Sequence, residues 1–375
     1  MAVSGAVGYP DFEDLVTQVR DNDARIMERV MEPDGYFQTR RTTLAEITRS
    51  VTKLNADGFR HRSADDLPTV VVGGGKCRVG STALTNLFGI AGVHAYYNPI
   101  KTAIRHFVLD SPGEAWILPQ RDEHKFIFAK EMAGPYHLAD CTVNPLQILV
   151  EAGYPTDRIE LVALDRDPYR ALDSWLNIWG HLIPHERLAQ HYVLSALNAV
   201  RIKRYAAQVG IRVSNYVYEA SRIPGNVIDK LFTRLGIQDR FCEDMVENWN
   251  EKGALASEHS KIIFPTLPTP LRKIPGMHAS EPRYLYKERS ADRLSPEHRA
   301  LIEKSGMIER YRESALACAE ELRLQVEDRR KVFAGTPAEV ATTHVPGRRP
   351  NAEFQLSDAQ RAAASGKPSD GTRRH

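Results

Sequence analysis

Residues 69–88, T-V-V-V-G-G-G-K-C-R-V-G-S-T-A-L-T-N-L-F, constrain the fold of this chain most strongly. The β-branched run Val70 to Val72 is typical of a buried parallel strand, and Gly73 to Gly75 allow unusual backbone dihedral angles. Apolar residues then recur at helical spacing, at Ala83, Leu84, Leu87 and Phe88. The pattern predicts a strand, a tight glycine loop and a helix.

The loop of this unit is predicted to bind an anion. The first turn of a helix has unpaired N–H groups and the positive end of the helix dipole, so phosphate oxygens find donors there. Gly80 permits close approach of a ligand, and Ser81 and Thr82 add hydroxyl donors. Lys76 and Arg78 add positive charge that suits a phosphate or a neighbouring sulfonate.

Downstream of this loop, segments typical of strands alternate with segments typical of helices. The predicted strands are residues 93–97, 126–129, 159–164 and 212–218, and the predicted helices are residues 99–107, 145–152, 184–210, 227–235 and 296–324. Such alternation implies parallel pairing with right-handed crossovers. The expected fold is α/β, a doubly wound, mostly parallel sheet flanked by helices, with its site at the carboxyl ends of the strands.

The sequence divides into three predicted parts. Residues 1–68 are expected to form a helical N-terminal extension and linker, because apolar residues recur at helical steps throughout 11–55. This extension is expected to pack against the core, with an acceptor-side lid or a dimer arm as alternatives. Residues 69–330 form the predicted α/β domain. The polar residues 331–375 are predicted to be a disordered tail with a short helix at 356–364.

The amino-acid composition limits the kinds of molecule that this protein is expected to bind. A formal net charge of +2 over 375 residues favours neither a nucleic-acid nor a membrane partner, although a local basic cleft would not show in that total. The four cysteines lack metal-type spacing and fit reduced thiols, so we expect a cytoplasmic protein without a metal site. The first residues do not follow a signal-peptide pattern, and no apolar stretch reaches the length of a membrane span.

A second strand-to-helix joint lies at residues 159–179. Asp167 can cap the helix, and Pro168 can occupy its first position. Arg166, in contrast, ends an apolar strand, where an unpaired charge is costly unless water or an anion is near. Arg166 therefore marks a second candidate anion site.

The first joint resembles a cofactor loop of the sulfotransferases. The run C-R-V-G-S-T-A-L at residues 77–84 is similar to the family's P-K/R-S-G-T-T-x-L loop. In the sulfotransferases, that loop binds the 5′ side of 3′-phosphoadenosine 5′-phosphosulfate (PAPS). The resemblance puts Arg78 on the family's basic position, followed by Val79. It puts Gly80, Ser81 and Thr82 on the family's G-T-T.

The second joint and two later segments extend the resemblance. Arg166 and Ser174 have the spacing of the family's 3′-phosphate motif, R-D/N-P-x-x-x-x-x-S. Residues 215–237 are similar to the family's Y-E-D/E-L segment, which implies that Tyr218 lies near the adenine, although Ala220 replaces the usual acid. L-R-K-I-P-G at residues 271–276 is similar to the family's late R-K-G contact.

The resemblance implies a P-loop-like sulfotransferase fold and the donor PAPS, which turnover converts to 3′-phosphoadenosine 5′-phosphate (PAP). The acceptor is expected to be a hydroxyl or amine of a small molecule or carbohydrate, and no metal is needed if Lys and Arg supply the positive charge. The residues implied to bind the donor are Lys76, Arg78, Val79, Gly80, Ser81, Thr82, Arg166, Ser174, Tyr218, Arg272 and Lys273.

The proton acceptor is sought after the strand predicted at residues 126–129. Cytosolic sulfotransferases have K-T-H at the corresponding strand end, with the His as base, whereas this chain has Lys130, Glu131 and Met132. Golgi-type members use a Glu, which makes Glu131 the first candidate. The predicted catalytic residues are Glu131, Lys130, His137 and Arg78, with His94 as a further alternative base.

Two other functions and the acceptor class stay open at this point. A P-loop phosphotransferase would use ATP and magnesium at the same strand-loop-helix unit, but its motif G-x-x-x-x-G-K-S/T requires a Lys after Gly80. A non-catalytic nucleotide-binding protein would retain the fold without the strand-end His. Aromatic residues that could line an acceptor pocket are Tyr96, Tyr97, Trp116, Trp175 and Trp179. A homodimer is also open.

Overall fold

A computed structural model of the chain describes residues 8–60, 62–119, 121, 124–249, 261–268, 271 and 283–343. The strands are β1 Val30–Met31, β2 Thr42–Thr43, β3 Thr69–Lys76, β4 His94–Tyr97, β5 Phe126–Ala133, β6 Ile159–Asp165, β7 Arg212–Val217 and β8 Ile262–Ile263. The α-helices are α1 Phe12–Asp21, α2 Arg25–Glu28, α3 Leu44–Phe59, α4 Ser81–Ile90, α5 Pro99–Val108, α6 Leu138–Thr142, α7 Pro145–Glu151, α8 Pro168–Trp179, α9 His185–Gln208, α10 Pro224–Arg234, α11 Asp244–Glu247, α12 Pro296–Lys304, α13 Met307–Glu321, α14 Val326–Phe333 and α15 Glu339–Thr343.

Six strands form one parallel sheet in the order β7-β6-β3-β5-β4-β8. Successive residues of β3 face two different apolar cores, with Val70 and Val72 in one and Val71 in the other. All three are at most 1% exposed, as expected for a strand covered on both faces. The predicted α/β class, with a parallel sheet flanked by helices, is confirmed. Strand order reverses around β3, which places a ligand crevice at its carboxyl end.

The glycine run lies inside β3, and the prediction that it forms the loop is wrong. The three glycines, Gly73 to Gly75, are paired in register with both β5 and β6. A Cβ atom at Gly73 would lie 2.6 Å from Cζ of Phe128, and one at Gly75 would lie 2.3 Å from the carbonyl oxygen of Leu164. These glycines are therefore needed for close packing within the sheet, and the loop itself is shorter, at residues 77–80.

Most other predicted elements are present with small shifts. The strands predicted at residues 93–97, 159–164 and 212–218 correspond to β4, β6 and β7, whereas β5 continues beyond its predicted end, to Ala133. The single helix predicted at 296–324 is divided into α12 and α13, because Gly306 has a φ of 67°.

The N-terminal extension packs on the α/β core but is not helical throughout. Leu15 of α1 and Ile47 of α3 belong to the same apolar core as Val70. Between α2 and α3 the chain forms the antiparallel pair β1–β2, and the Asp34 carboxylate accepts three backbone N–H groups of the connecting turn. Short polar side chains that bond the local backbone in this way compete with helix formation.

The C-terminal boundary predicted at residue 331 is wrong for residues 331–343. Val332 and Phe333 of α14 are fully buried, and Ala338 and Thr342 are at most 1% exposed. These residues pack in the same core as α13, so the domain includes them. The helix predicted at 356–364 lies outside the described residues. None of the described helices combines the length and apolar character needed to cross a bilayer.

Candidate functional site

The loop after β3 presents the open N-terminus of α4. Gly80 precedes α4 with a φ of 78°, and no side chain among the described residues caps the helix. A Cβ atom at Gly80 would lie 2.2 Å from Cδ2 of Tyr218, so only glycine allows this ring to cover the loop. Arg78 also has a positive φ of 70°, which is uncommon for a residue with a side chain. The first-turn N–H groups of α4 are the donors expected at an anion site.

The two predicted anion anchors lie side by side. Nη1 of Arg166 donates to the carbonyl oxygen of Arg78 at 3.1 Å, and Nε of Arg78 donates to Oγ of Ser174 at 2.9 Å. The Arg166 guanidinium lies over the Tyr218 ring, with Cζ 4.9 Å from the ring centroid. The sequence motifs at residues 77–82 and 166–174 therefore form one cluster at the carboxyl edge of the sheet.

Arg166 is buried without enough partners for its charge. The residue is 4% exposed, yet its Nε and Nη2 atoms have no hydrogen-bond partner among the described residues. Burying unpaired donors of a charged group is costly, and buried polar groups in native proteins are generally satisfied. Arg166 therefore indicates a ligand with acceptor oxygens.

A cavity of about 540 Å³ opens beside this cluster. Its lining includes backbone or side chains of the loop and of α4, α5 and α8. The cationic lining residues are Arg78, Lys101, Arg105, Lys130, Arg166, Arg283, Lys287 and Arg289. No carboxylate occurs among the described residues that line it. A cavity with this charge favours an anionic ligand.

Helix α8 contributes its last residues, Asn177, Ile178 and Trp179, to the cavity lining. It begins next to Arg166, and its 12 residues extend about 18 Å. The Nε1 atom of Trp175 donates to the carbonyl oxygen of Cys77 at 2.8 Å, and that of Trp179 donates to the Tyr136 hydroxyl at 3.3 Å. α8 thus connects the anion-binding end of the cavity with an aromatic end around Tyr136.

Lys130, one of the predicted catalytic residues, lines the cavity. Its Nζ atom donates to Oγ1 of Thr82 at 3.3 Å and lies 3.5 Å from the ring centroid of Tyr97. Burial lowers the pKa of Lys130 well below its usual value, and the neighbouring cations Lys101 and Arg78 lower it further. An anion bound here would favour the charged ammonium, because opposite charges stabilise each other.

Several predicted donor-binding residues line the cavity and others do not. Those in the lining are Arg78, Gly80, Ser81, Thr82, Arg166 and Tyr218. Lys76 instead forms an ion pair with Asp165 and does not line the cavity. Val79 is fully buried in the apolar core, and Ser174 acts through its bond to Arg78. Arg272 and Lys273 lie outside the described residues.

Glu131 is placed away from the cavity, which argues against its predicted role as base. Its two carboxylate oxygens accept the backbone N–H groups of Ile100 and Lys101, at 2.7 and 3.1 Å, in the first turn of α5. Side chains alternate across a strand, so Glu131 points to the opposite side from Lys130. Burial raises the pKa of Glu131 to about 8. The residue stabilises a helix N-terminus.

The two histidines predicted as alternative bases also lie elsewhere. His137 caps α6, with Nδ1 accepting the backbone N–H of Asp140 at 3.1 Å. It lines a second cavity, of about 280 Å³, rather than the cationic one. His94 lies at the first residue of β4, the end of the strand opposite to the cavity, and its ring lies 3.8 Å from that of His124.

The sequence analysis missed a cationic segment at residues 283–289. Arg283, Lys287 and Arg289 all line the cavity, although the segment forms neither a helix nor a strand. The backbone N–H groups of Tyr284 and Tyr286 donate to the carbonyl oxygens of Val246 and Ser221, which fixes the segment across the cavity. The alternation of aromatic and cationic residues in R-Y-L-Y-K-E-R was the available signal.

The fold and the site together define a class of protein: a parallel α/β domain with a cationic cavity at the carboxyl edge of its sheet. Comparisons with protein-family models, with curated proteins and with solved structures returned no match. A function for this protein is therefore inferred from the geometry and charge of the cavity.

Proposed function

We propose that this protein is a sulfotransferase that moves the sulfuryl group of PAPS to the hydroxyl of an acceptor molecule. The observation that carries the proposal is Arg166, a buried guanidinium with two nitrogen atoms that have no partner among the described residues. It lies beside the 77–80 loop and the N-terminus of α4. Arg166 and the N-terminus of α4 provide two adjacent sets of donors. PAPS carries a 3′-phosphate and a 5′-phosphosulfate, which need two such sets.

The residues of the cavity fit this donor in charge and in shape. No ion pair with a carboxylate engages Arg78, Lys130, Arg166 or Arg289 among the described residues that line the cavity. The buried Glu219 carboxylate is near enough to Arg166 for their charges to interact, but it does not line the cavity. Each phosphate monoester carries about −1.5 to −2 charges at neutral pH. Tyr218 lies under Arg166 and beside Gly80, where an aromatic ring can contact the adenine.

The chain's own residues would then provide binding and charge stabilisation. When bound, the donor supplies the sulfuryl group and a phosphate leaving group. The open N–H groups of α4 and the hydroxyl groups of Ser81 and Thr82 would hold the 5′ side. Lys130 and Arg78 lie where they would neutralise charge on the leaving oxygen. Ser174 holds Arg78 in this position.

A magnesium-dependent phosphotransferase fits the cavity less well. Protein sites for magnesium on nucleotide phosphates use one or two carboxylates, and the described lining of this cavity has none. In addition, Ser81 follows Gly80 directly, where a P-loop has Lys.

Calorimetry of the purified chain tests the proposal. PAP should bind at least about a hundredfold more tightly than adenosine 5′-phosphate, because the extra phosphate adds charge-assisted hydrogen bonds worth about 3 kcal/mol. ATP with magnesium is titrated in parallel. Tighter binding of ATP with magnesium than of PAP would overturn the proposal, and so would equal affinities for PAP and adenosine 5′-phosphate.

A further inference from the structure

Cys77 directly follows β3 and lines the cationic cavity. It stands where the sulfotransferase loop has Pro, so the resemblance does not account for it. Its side chain is partly exposed, and its thiol donates to the carbonyl oxygen of Gly134, with Sγ 3.3 Å from that oxygen. The other three cysteines lie in different surroundings. Cys141 and Cys318 are fully buried, whereas Cys242 is exposed but does not line the cavity.

The Cys77 thiol is surrounded by positive charge. Nζ of Lys101 lies 3.8 Å from its Sγ atom. Arg78, Arg105 and Lys130 are near enough for their charges to interact with that sulfur. The described lining of the cavity contains no carboxylate, so the local field attracts anions toward the sulfur. Reactive cysteines in proteins lie in electropositive, partly exposed surroundings of this kind.

Part of this positive charge is not paired within the described part of the chain. Asp140 pairs with Arg105 and Lys101, but it does not line the cavity. Lys130 forms no ion pair with a carboxylate among the described residues. In Arg166, which is 4% exposed and lines the same cavity, two guanidinium nitrogens lack a hydrogen-bond partner among those residues. The cavity is therefore expected to take up an anion whether or not the cysteine is present.

We propose that Cys77 is a modification site, at which a small disulfide with acidic groups forms a mixed disulfide and blocks the anion site. The Cys77 thiolate, whose proton passes to water, attacks one sulfur of the disulfide. The bond between the two sulfurs of the disulfide breaks, and the second sulfur leaves with the electron pair as a thiolate, so the disulfide is reduced as Cys77 is oxidised. The acidic groups of the attached half occupy the cationic cavity. The resulting loss of PAP binding rests on the sulfotransferase function proposed above, whereas the modification does not.

Two disulfide reagents that differ in charge test the site. 5,5′-Dithiobis(2-nitrobenzoate) carries carboxylates, and 2,2′-dithiodipyridine is uncharged at neutral pH. Cys242→Ser leaves Cys77 as the reacting thiol, and Cys77→Ser leaves Cys242, the matched control beside the acidic Glu243 and Asp244. The rate with the acidic reagent divided by the rate with the neutral one removes differences in exposure and ionisation between the two thiols. This ratio should be at least about tenfold higher at Cys77 than at Cys242, because the cavity attracts anions.

Calorimetry of the modified proteins with PAP then tests whether the anion site is blocked. In Cys242→Ser, the mixed disulfide of Cys77 with the acidic reagent should weaken PAP binding at least about a hundredfold, and dithiothreitol should restore the affinity. In Cys77→Ser, modification of Cys242 should change the affinity for PAP less than about threefold.

The outcomes separate the modification site from the proposed function. Equal rate ratios at Cys77 and Cys242, or no reaction at Cys77, overturn the modification site. Unchanged PAP affinity after modification of Cys77 overturns the blocking of the anion site. Failure of the unmodified protein to bind PAP overturns the sulfotransferase function, and the rate ratio then still decides whether Cys77 is a modification site.

Discussion

Two buried groups of charges lie close to each other in this protein and differ in how they are satisfied. Around Asp140, the guanidinium of Arg105 donates to the carboxylate at 2.9 Å, and Nζ of Lys101 lies 3.8 Å from it. Around Arg166, the nearest bonded partner is a backbone carbonyl, and two guanidinium nitrogens lack partners among the described residues. The first group is satisfied by its own side chains, whereas the second leaves two donors without an acceptor among the described residues.

If the proposed function is correct, the difference distinguishes charged residues that stabilise the fold from charged residues that bind a ligand. A buried carboxylate with paired cations contributes to stability through its partners, and removal of one partner leaves an uncompensated charge. A buried cation without an anion lowers stability until the anion binds. Variants in the two groups should therefore have different effects. Variants around Asp140 should lower the free energy of unfolding, and variants around Arg166 should lower the affinity for PAP.

The largest effect is expected at Asp140. Asp140→Asn should lower the free energy of unfolding by about 3–5 kcal/mol, because it leaves Arg105 charged and buried without its carboxylate. Asp239→Asn is the matched control, since the Asp239 carboxylate is 77% exposed beside Arg240. The control should change stability by less than about 1 kcal/mol in urea unfolding. Equal effects of the two variants would contradict the distinction.

A smaller, pH-dependent effect is expected at Glu131. Its folded-state pKa, raised by burial to about 8, exceeds the unfolded value of about 4.3. The folded state therefore binds this proton more tightly, and the resulting stabilisation is complete below pH 4 and lost as the pH rises through 8. Glu131→Gln removes this titration but keeps an oxygen that can accept from α5.

Urea unfolding of Glu131→Gln and the wild type at pH 5 and pH 9 measures this effect. The stability of the variant relative to the wild type should increase between the two pH values by up to about 4 kcal/mol. Parallel curves for the two proteins would show that Glu131 is ionised throughout and would refute the assignment.

A still smaller effect is expected at Ser174, which positions Arg78 in the second group. Ser174→Ala should weaken PAP binding about fivefold, the loss of one hydrogen bond worth ~1 kcal/mol. Ser214→Ala provides the control, because Ser214 accepts a similar arginine Nε bond, from Arg234 at 2.8 Å, without lining the cavity. A loss of PAP affinity in the control of the same size would contradict a specific role for Ser174.

The parallel sheet and the two strand-to-helix joints could be predicted from the sequence because both depend on local patterns. β-branched runs, apolar residues at helical spacing and an arginine at a strand end identify elements of the chain without knowledge of their neighbours. The order of parallel strands then brings the carboxyl ends together, which is why Arg78, Arg166 and Ser174 meet.

Other parts of the site depend on contacts between distant residues and could not be predicted. Lys76 is of a residue type that commonly binds phosphate, but in the folded chain its amine forms an ion pair with Asp165. Glu131 is of a residue type that can act as a base, but its side chain points to the face of β5 that contacts the start of α5. The cations of residues 283–289 reach the cavity from about 200 residues beyond the loop, and only tertiary structure shows it.

Calorimetry of Arg166→Ala with PAP tests whether Arg166 binds a phosphate group of the ligand. Arg170→Ala is the matched control, because Arg170 lies in the same region but pairs with Glu288 and does not line the cavity. Arg166→Ala should weaken PAP binding about a hundredfold without lowering the melting temperature, whereas Arg170→Ala should retain PAP affinity within about threefold. Unchanged affinity of Arg166→Ala for PAP would contradict the assignment of Arg166 to the anion site.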